Sequence, residues 1–442
     1  MDDLNVLYKH SIDWALDKAQ NSATIALGFH SVVDGMVRFE PNGVEYEMSS
    51  IDIPKDLNST PTSIKTKEDF FRGLAFSFVN GKALQIMIDS KEVYNWIMKK
   101  FGSGKPQLGG TSANMAKTLS QFPFPKILVY VYPLTQELID LFPNSDNLFT
   151  IHENEIKHLK DIEAEKGIKA IHWIFEFFQG QKIKIKGKEY TCPRSNRFIA
   201  SWNPVNSRLE IKEPFRSYVI NHAEEISRFL VSGFHIMREN YPNGESVRER
   251  MKDLKKFMED MRRENPRLFF HLEFASIRRD GVRKSVERIL FPISDSLGTN
   301  EVELSWIAQD LSLKANPVQI QKGDVNEITK VLLSLREMGL KRVHFHTLGF
   351  YLLGFDEDFY DVGEEKNALA FAALAAAQRA RDGHLNTERI KEILRIPTSN
   401  LDYREWKSDK THFILLPTKV IKNQKISVGL GDTISSLGFA LG

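Results

Sequence analysis

The chain has 442 residues, 42% of them hydrophobic and 27% charged, with a formal net charge of +2. That length exceeds one ordinary core and points to two domains, or to one large α/β domain with an insertion. The small charge gives no reason to expect a nucleic-acid or membrane partner, and the single cysteine, Cys192, excludes an intrachain disulfide and a cysteine metal site.

The N-terminus "MDDLNVLYKH" has acids where a signal peptide has bases, and no apolar run reaches membrane length. A cytoplasmic location is therefore expected. Short apolar runs rich in β-branched and aromatic residues predict buried strands at 23–29, 126–133, 228–234, 267–274, 342–349 and 412–418. Between them lie amphipathic helices. In 246–265, Val247, Met251, Leu254, Phe257 and Met261 recur at spacings of three and four; 325–340 repeats the pattern up to Gly339. The small-residue stretch 367–383 predicts a helix that packs closely on a sheet. Strand and helix in alternation predict a doubly wound α/β sheet flanked by helices, with ligands bound beyond the carboxyl ends of its strands.

Two stretches break that rhythm. Residues 35–60 read as a hairpin followed by a polar loop, and 174–212 alternate polar and apolar residues around a "KGKE" turn. We assign both to a smaller strand-rich, mostly antiparallel lid. The expected division is 1–34, 111–173 and 213–442 for the large domain, with 35–110 and 174–212 for the lid.

Four constellations can carry chemistry. In "KISVGLGDTISS" (425–436), a strand end followed by a helix would put Gly429 and Gly431 at a helix N-terminus, where unpaired N–H groups hold an anion. Asp432 beside them can take a proton from an attacking hydroxyl. An Asp N-cap with two turn glycines is the plainer alternative. In "LGGTSANMA" (108–116), Gly109 and Gly110 precede a helix and can bring backbone to a small polar ligand, or can simply form a turn. "HLEFAS" (271–276) and "GTNEVEL" (298–304) end strand-like runs, so His271, Glu273, Asn300 and Glu303 fall at a sheet edge; the two carboxylates offer hard oxygens to Mg²⁺. Arg197 and Arg208, both expected in the lid, suit phosphate through their planar forks, or are surface arginines.

In this order, "LGGTSANMA", "NRFIAS", "HLEFAS", "GTNEVEL", "RVHFHTLGFYL" and "LLPTKVIKNQKISVGLGDTISS" resemble the ADP-dependent sugar kinases, the glucokinase and phosphofructokinase group of the ribokinase-like fold. The resemblance implies Mg²⁺ and transfer of the β-phosphoryl group of ADP to a sugar hydroxyl, leaving AMP. It implies Asp432 as catalytic base and Gly429 with Gly431 as the phosphate loop. Glu273 and Glu303, with His271 and Asn300 beside them, match its metal motifs. His346, Tyr351, Ile421, Val428 and Gly429 fall where the family surrounds the nucleotide.

The family's first strand ends in Asn-x-Asn-Ile-Asp. Here "FHSVVDG" (29–35) keeps Asp34 but has His30 and Val32 in place of the asparagines, and the glutamine after the paired glycines is Thr111. Gln85 aligns loosely with a glucokinase lid glutamate. These departures argue against glucose. "SRLE" with Arg208 matches the segment that holds a sugar phosphate in the phosphofructokinase branch, so the expected acceptor, held by Asp34, Gly109, Gly110, Arg197 and Arg208, already carries a phosphate. Fructose 6-phosphate is the family default and ribose 1-phosphate the alternative. A glucokinase, a non-catalytic homologue and an ATP-using ribokinase relative are the remaining readings. The expected state is a monomer or small homo-oligomer.

Overall fold

The architecture grows from its apolar strands. The computed structural model describes residues 2–40, 42–43, 45, 57, 59–165, 169–426 and 429–442. Among these, eleven strands form one sheet in the order Arg404–Ser408, Thr411–Pro417, Phe350–Asp356, Arg342–His346, Ser296–Asn300, Phe269–Glu273, Ile226–Val231, Thr24–Gly28, Ile127–Val129, Leu148–His152 and Glu155–His158. From Arg342–His346 through Leu148–His152 the pairing is parallel, and beyond either end it is antiparallel. Each predicted strand lies in this sheet. Runs such as Thr24–Gly28, buried along their whole length, are apolar without alternation because helices cover both faces.

The helix Val247–Glu264 starts at a capping box made by Ser246 and Glu249, and it buries the expected Val247, Met251, Leu254, Phe257 and Met261. Val325–Glu337 is capped by the Asp324 side chain and stops short of Gly339. The alanine-rich helix Val362–Asp382 is buried on nearly all sides, because small side chains let it pack on the sheet and on the final helix, Leu430–Leu441, at once. Among the described residues no helix is long and apolar enough to cross a membrane.

A second sheet of five strands runs in the order Leu84–Met87, Asn196–Trp202, Ile171–Phe177, Val32–Arg38 and Lys105–Gly109. It is mixed rather than mostly antiparallel, since Asn196–Trp202 pairs in parallel with Leu84–Met87 and Val32–Arg38 with Ile171–Phe177. Val32–Arg38 does not fold back into a local hairpin. Its partners come from distant segments, and no described residue from 39 to 60 is in a strand. The turn at "KGKE" is where the sequence puts it: Lys182–Ile185 pairs with Lys188–Thr191, with Lys186 and Gly187 at positive φ.

Three parallel strands end at Glu273, Asn300 and His346, so the sheet delivers these residues to one edge. Thr24–Gly28 leads along the same direction into His30 and then Asp34 of the second sheet. The two sheets meet at that edge.

Candidate active site

The mouth of the final helix is built by glycines for two separate reasons. Gly429 is the N-cap at φ 74°, ψ 11°, in the left-handed region, and no side chain caps the helix. A Cβ there would also come within 2.8 Å of Arg379 Nη2. At Gly431 a Cβ would come within 2.8 Å of His346 Nε2. The preceding residues differ from expectation: Lys425 and Ile426 lie outside any strand, while Ser427 and the candidate Val428 fall outside the described residues.

Asp432 sits in the first turn of this helix. Its carboxyl is pushed up to about 8, chiefly by burial and then by the negative charges of Glu273 and Asp34, with Arg379 opposing. Arg379 was not foreseen from sequence, since an arginine in an alanine-rich helix carries no motif. It is buried, and its Nη1 donates to Thr118 Oγ1 at 3.1 Å and to Thr433 Oγ1 at 2.7 Å. One guanidinium thus ties three helices together beneath the mouth.

Glu273 and Glu303 form the neighbouring acidic pair. Glu273 lies so close over Gly298 that a Cβ there would be 2.2 Å from its Oε2. Glu303 belongs to a capping box: Asn300 N–H donates to its Oε2 (3.1 Å) and Asn300 Nδ2 to its Oε1 (2.7 Å), while Asn300 Oδ1 accepts from the Val302 and Glu303 amides. Burial pushes both carboxyls up to about 8, and for Glu303 the charge of Glu273 adds to it. His271 stands behind Glu273. It is fully buried, with Nδ1 2.8 Å from Ser296 Oγ and Nε2 3.3 Å from Glu273 Oε2, and it stacks on Phe439. Burial first, then Arg342, holds the ring well below its ordinary pKa, so it is neutral and both its nitrogens are engaged.

Among the described residues no group of three or more His, Cys, Asp or Glu side chains is placed to hold a metal ion. Two buried carboxylates that repel each other still fit a hard divalent cation carried mainly by waters and phosphate oxygens, which is the usual condition of Mg²⁺.

A cavity of about 860 Å³ opens beside the mouth, lined by Leu430, Gly431, Asn300, His346, Tyr351 and Ile421, with alanines of Val362–Asp382 as part of its wall. Its size and mixed lining suit a nucleotide. His346 is held down at about 4 by burial, and its Nδ1 has no partner.

A second cavity, of about 550 Å³, shares Ser276 and Arg278 with the first, and its walls include Gln85, Arg197, His235 and Arg279. Close by, the Asp34 carboxylate is 3.2 Å from His172 Nδ1. Gly109 and Gly110 have a packing reason to be glycine: a Cβ at Gly109 would lie 2.2 Å from the Asp34 carboxylate, and one at Gly110 would lie 2.5 Å from the His30 carbonyl oxygen. His30 is buried against the rings of His235 and His172, with Thr111 N–H donating to its Nδ1 at 3.4 Å. His172 and His235 are further residues the sequence did not single out, because each sits inside an apolar run that reads as core.

Arg208 lines neither cavity. Its Nη2 donates to Glu245 Oε2 at 2.7 Å, and Arg250 pairs with the same carboxylate. The expected sites therefore separate. Asp432, Gly429, Gly431, Glu273, Glu303, Asn300, His346, Tyr351 and Ile421 gather at the sheet edge, Asp34, Gly109, Gly110 and Arg197 lie toward the small sheet, and Arg208 stands apart.

Known proteins resemble this chain along nearly its whole length. A family model described as the ADP-specific phosphofructokinase/glucokinase conserved region matches residues 23–441. An ADP-dependent glucose/glucosamine kinase of Pyrococcus furiosus is 28% identical over 460 residues, covering 98% of this chain and 97% of its own. An ADP-specific phosphofructokinase of Thermococcus zilligii is 26% identical, covering 96% of each chain. A solved ADP-dependent kinase in complex with fructose 6-phosphate and ADPβS superposes with a TM-score of 0.84 at 23% identity, covering 100% of this chain and 98% of that one.

Proposed function

We propose the following reaction for this chain, which belongs to the ADP-specific phosphofructokinase/glucokinase family: transfer of the β-phosphoryl group of ADP to a hydroxyl of a sugar phosphate, leaving AMP. As a member of that family the chain is an ADP-dependent sugar kinase; the acceptor and the acting residues are our reading. Fructose 6-phosphate is the favoured acceptor, because a solved relative of the same fold holds it beside an ADP analogue.

One observation carries the reading. The uncapped amides of Gly429–Gly431 and the Asp432 carboxyl share one helix mouth, and Gly431 of that mouth lines a nucleotide-sized cavity. In this reading the adenosine lies against His346, Tyr351 and Ile421, and the β-phosphate meets the helix amides, where the dipole favours negative charge. The acceptor hydroxyl lies between Asp34 and Asp432, whose charges already sense each other. Asp432 takes the hydroxyl proton as the phosphoryl group moves in line toward the acceptor oxygen. Glu273 and Glu303 would hold Mg²⁺ through its waters, and that ion when bound supplies charge neutralisation of the diphosphate. His271 orients Glu273, and Arg379 restrains the Asp432 pKa. Most of the rate then comes from positioning and electrostatics.

The test is AMP release from ADP and Mg²⁺ with paired phosphorylated and free sugars, and with ATP as an alternative donor. AMP formed from fructose 6-phosphate supports the reading. Turnover with ATP alone, or none with any sugar, overturns it.

A further inference from the structure

Arg278 and Arg279 follow the strand Phe269–Glu273, in a stretch, "SIRRD", that belongs to no expected motif. Together with Arg197 from the small sheet they line the cavity of about 550 Å³, whose described lining holds one carboxylate, Glu239. That carboxylate accepts from the Gly281 N–H at 2.8 Å, and with Asp89 it offsets part of the charge of Arg279. Among the described residues, none of the three guanidinium groups donates a hydrogen bond to a carboxylate. Arg278 Nη2 donates to the Ala83 carbonyl at 2.8 Å, and Arg279 Nη1 to the Met237 carbonyl at 3.0 Å. The hydrogen bonds of Arg197 are backbone ones, and among the described residues its guanidinium has no partner.

Such an arrangement is costly in a protein without a ligand. Three like charges around one cavity repel, and a carbonyl satisfies only part of a five-donor fork. The arginines elsewhere in the fold show the contrast. Arg208 and Arg250 share Glu245, Arg283 is bound to Asp310 and Asp280, and Arg238 pairs with Asp89 just outside the cavity. Of the three, Arg278 lines both cavities, while Arg197 and Arg279 line the second and not the first. The nucleotide phosphates have their own anion site at the final helix, so the arginine cavity calls for a second anion. It must be small enough for this space and dianionic enough to offset the cluster, and its carrier must reach from here toward Asp34 and Asp432.

We propose that Arg278 and Arg279, which line this cavity together with Arg197, are the residues that hold the acceptor's phosphate monoester. This inference rests on the kinase reading and moves the acceptor phosphate away from Arg208, which Glu245 already neutralises. Neutral His235 stands on the same wall, held at about 4 by burial and then by His172.

Equilibrium binding to the full chain tests it without turnover. Fructose 6-phosphate and ribose 1-phosphate, each beside its free sugar, are titrated calorimetrically into the parent protein and into Arg278→Gln, Arg279→Gln, Arg279→Lys and Arg208→Gln. A charge-assisted hydrogen bond lost from a phosphate weakens binding by about tenfold to a hundredfold. We expect one phosphorylated sugar to bind at least about tenfold more tightly than its free form. Arg278→Gln and Arg279→Gln should lose most of that preference, and Arg279→Lys should recover part of it. Arg278 is exposed, so its variant should fold, which a thermal melt checks. The proposal is overturned if no phosphorylated sugar is preferred, if both Gln variants keep the preference, or if Arg208→Gln alone abolishes it. AMP release read in parallel keeps the two ideas apart. AMP from a free sugar without phosphate preference sinks the subsite and leaves the kinase; arginine-dependent binding without AMP from any sugar does the reverse.

Discussion

At the scale of single residues, the site is governed by what burial does to carboxyl groups. Asp432, Glu273 and Glu303 are each pushed up to about 8 in the ligand-free protein, above the ordinary carboxylate range. A base must be ionised to act, so kcat/KM, which reports the free enzyme, should fall as pH drops below about 8; a profile flat from pH 6 to 9 would remove Asp432 from that role. Asp432→Asn should keep ADP binding, measured by calorimetry, and lose at least about a hundredfold in kcat, the scale of general-base catalysis. Gly298→Ala acts indirectly. Its methyl group would displace the Glu273 carboxylate, costing about 1–3 kcal/mol of stability and, on the scale of disturbed metal-site partners, about tenfold in the Mg²⁺ concentration needed for ADP binding. Titration of Mg²⁺ at fixed ADP reads the second effect.

At the scale of elements, the final helix works because its neighbours are small or shaped to it. Val362–Asp382 brings alanines to the cavity wall and Arg379 beneath the helix mouth, while Thr111–Leu119 supplies Thr118 below. Arg379 lowers the Asp432 pKa and satisfies two threonine hydroxyls, so its effects on charge and on packing have different signatures. Arg379→Gln should shift the pH–rate break to more alkaline pH, because a compensating positive charge is gone. It should also destabilise the fold by about 1–3 kcal/mol, the cost of a disrupted buried hydrogen-bonded cation. A lowered Tm with an unmoved break would reduce Arg379 to a purely structural tie.

At the scale of the whole molecule, the two sheets meet where three parallel strands end, and the buried carboxyls lie at that meeting. For acids whose folded pKa is raised, the sign is fixed: their contribution to stability is full below about pH 4 and is lost as pH rises through about 8. A cation with ADP binds the ionised form, so the rise in Tm on adding Mg²⁺ and ADP should grow from pH 6 to pH 9. At ligand concentrations near 100 Kd the stabilisation is about 2.7 kcal/mol. A rise in Tm independent of pH would show that these carboxyls do not face the bound ligands.

The strands, the principal helices, the glycine-flanked Asp432 and the family are legible in the sequence, because hydrophobic period and short motifs are local properties. It located Glu273 and Asn300 at strand ends for the same reason, while His346 came only from the family resemblance and the structure puts it at a strand end. The company each charged side chain keeps is settled by packing between distant segments. Arg208 is drawn to Glu245, while Arg278 and Arg279 line the second cavity and donate to backbone carbonyls, and His30 meets His172 and His235 from distant segments. The second sheet is mixed where the sequence predicts mostly antiparallel strands, because its parallel partners are far apart in the chain and pairing leaves no local mark. Local pattern fixes what a segment becomes. Which charges face one cavity depends on long-range packing, which no local pattern records.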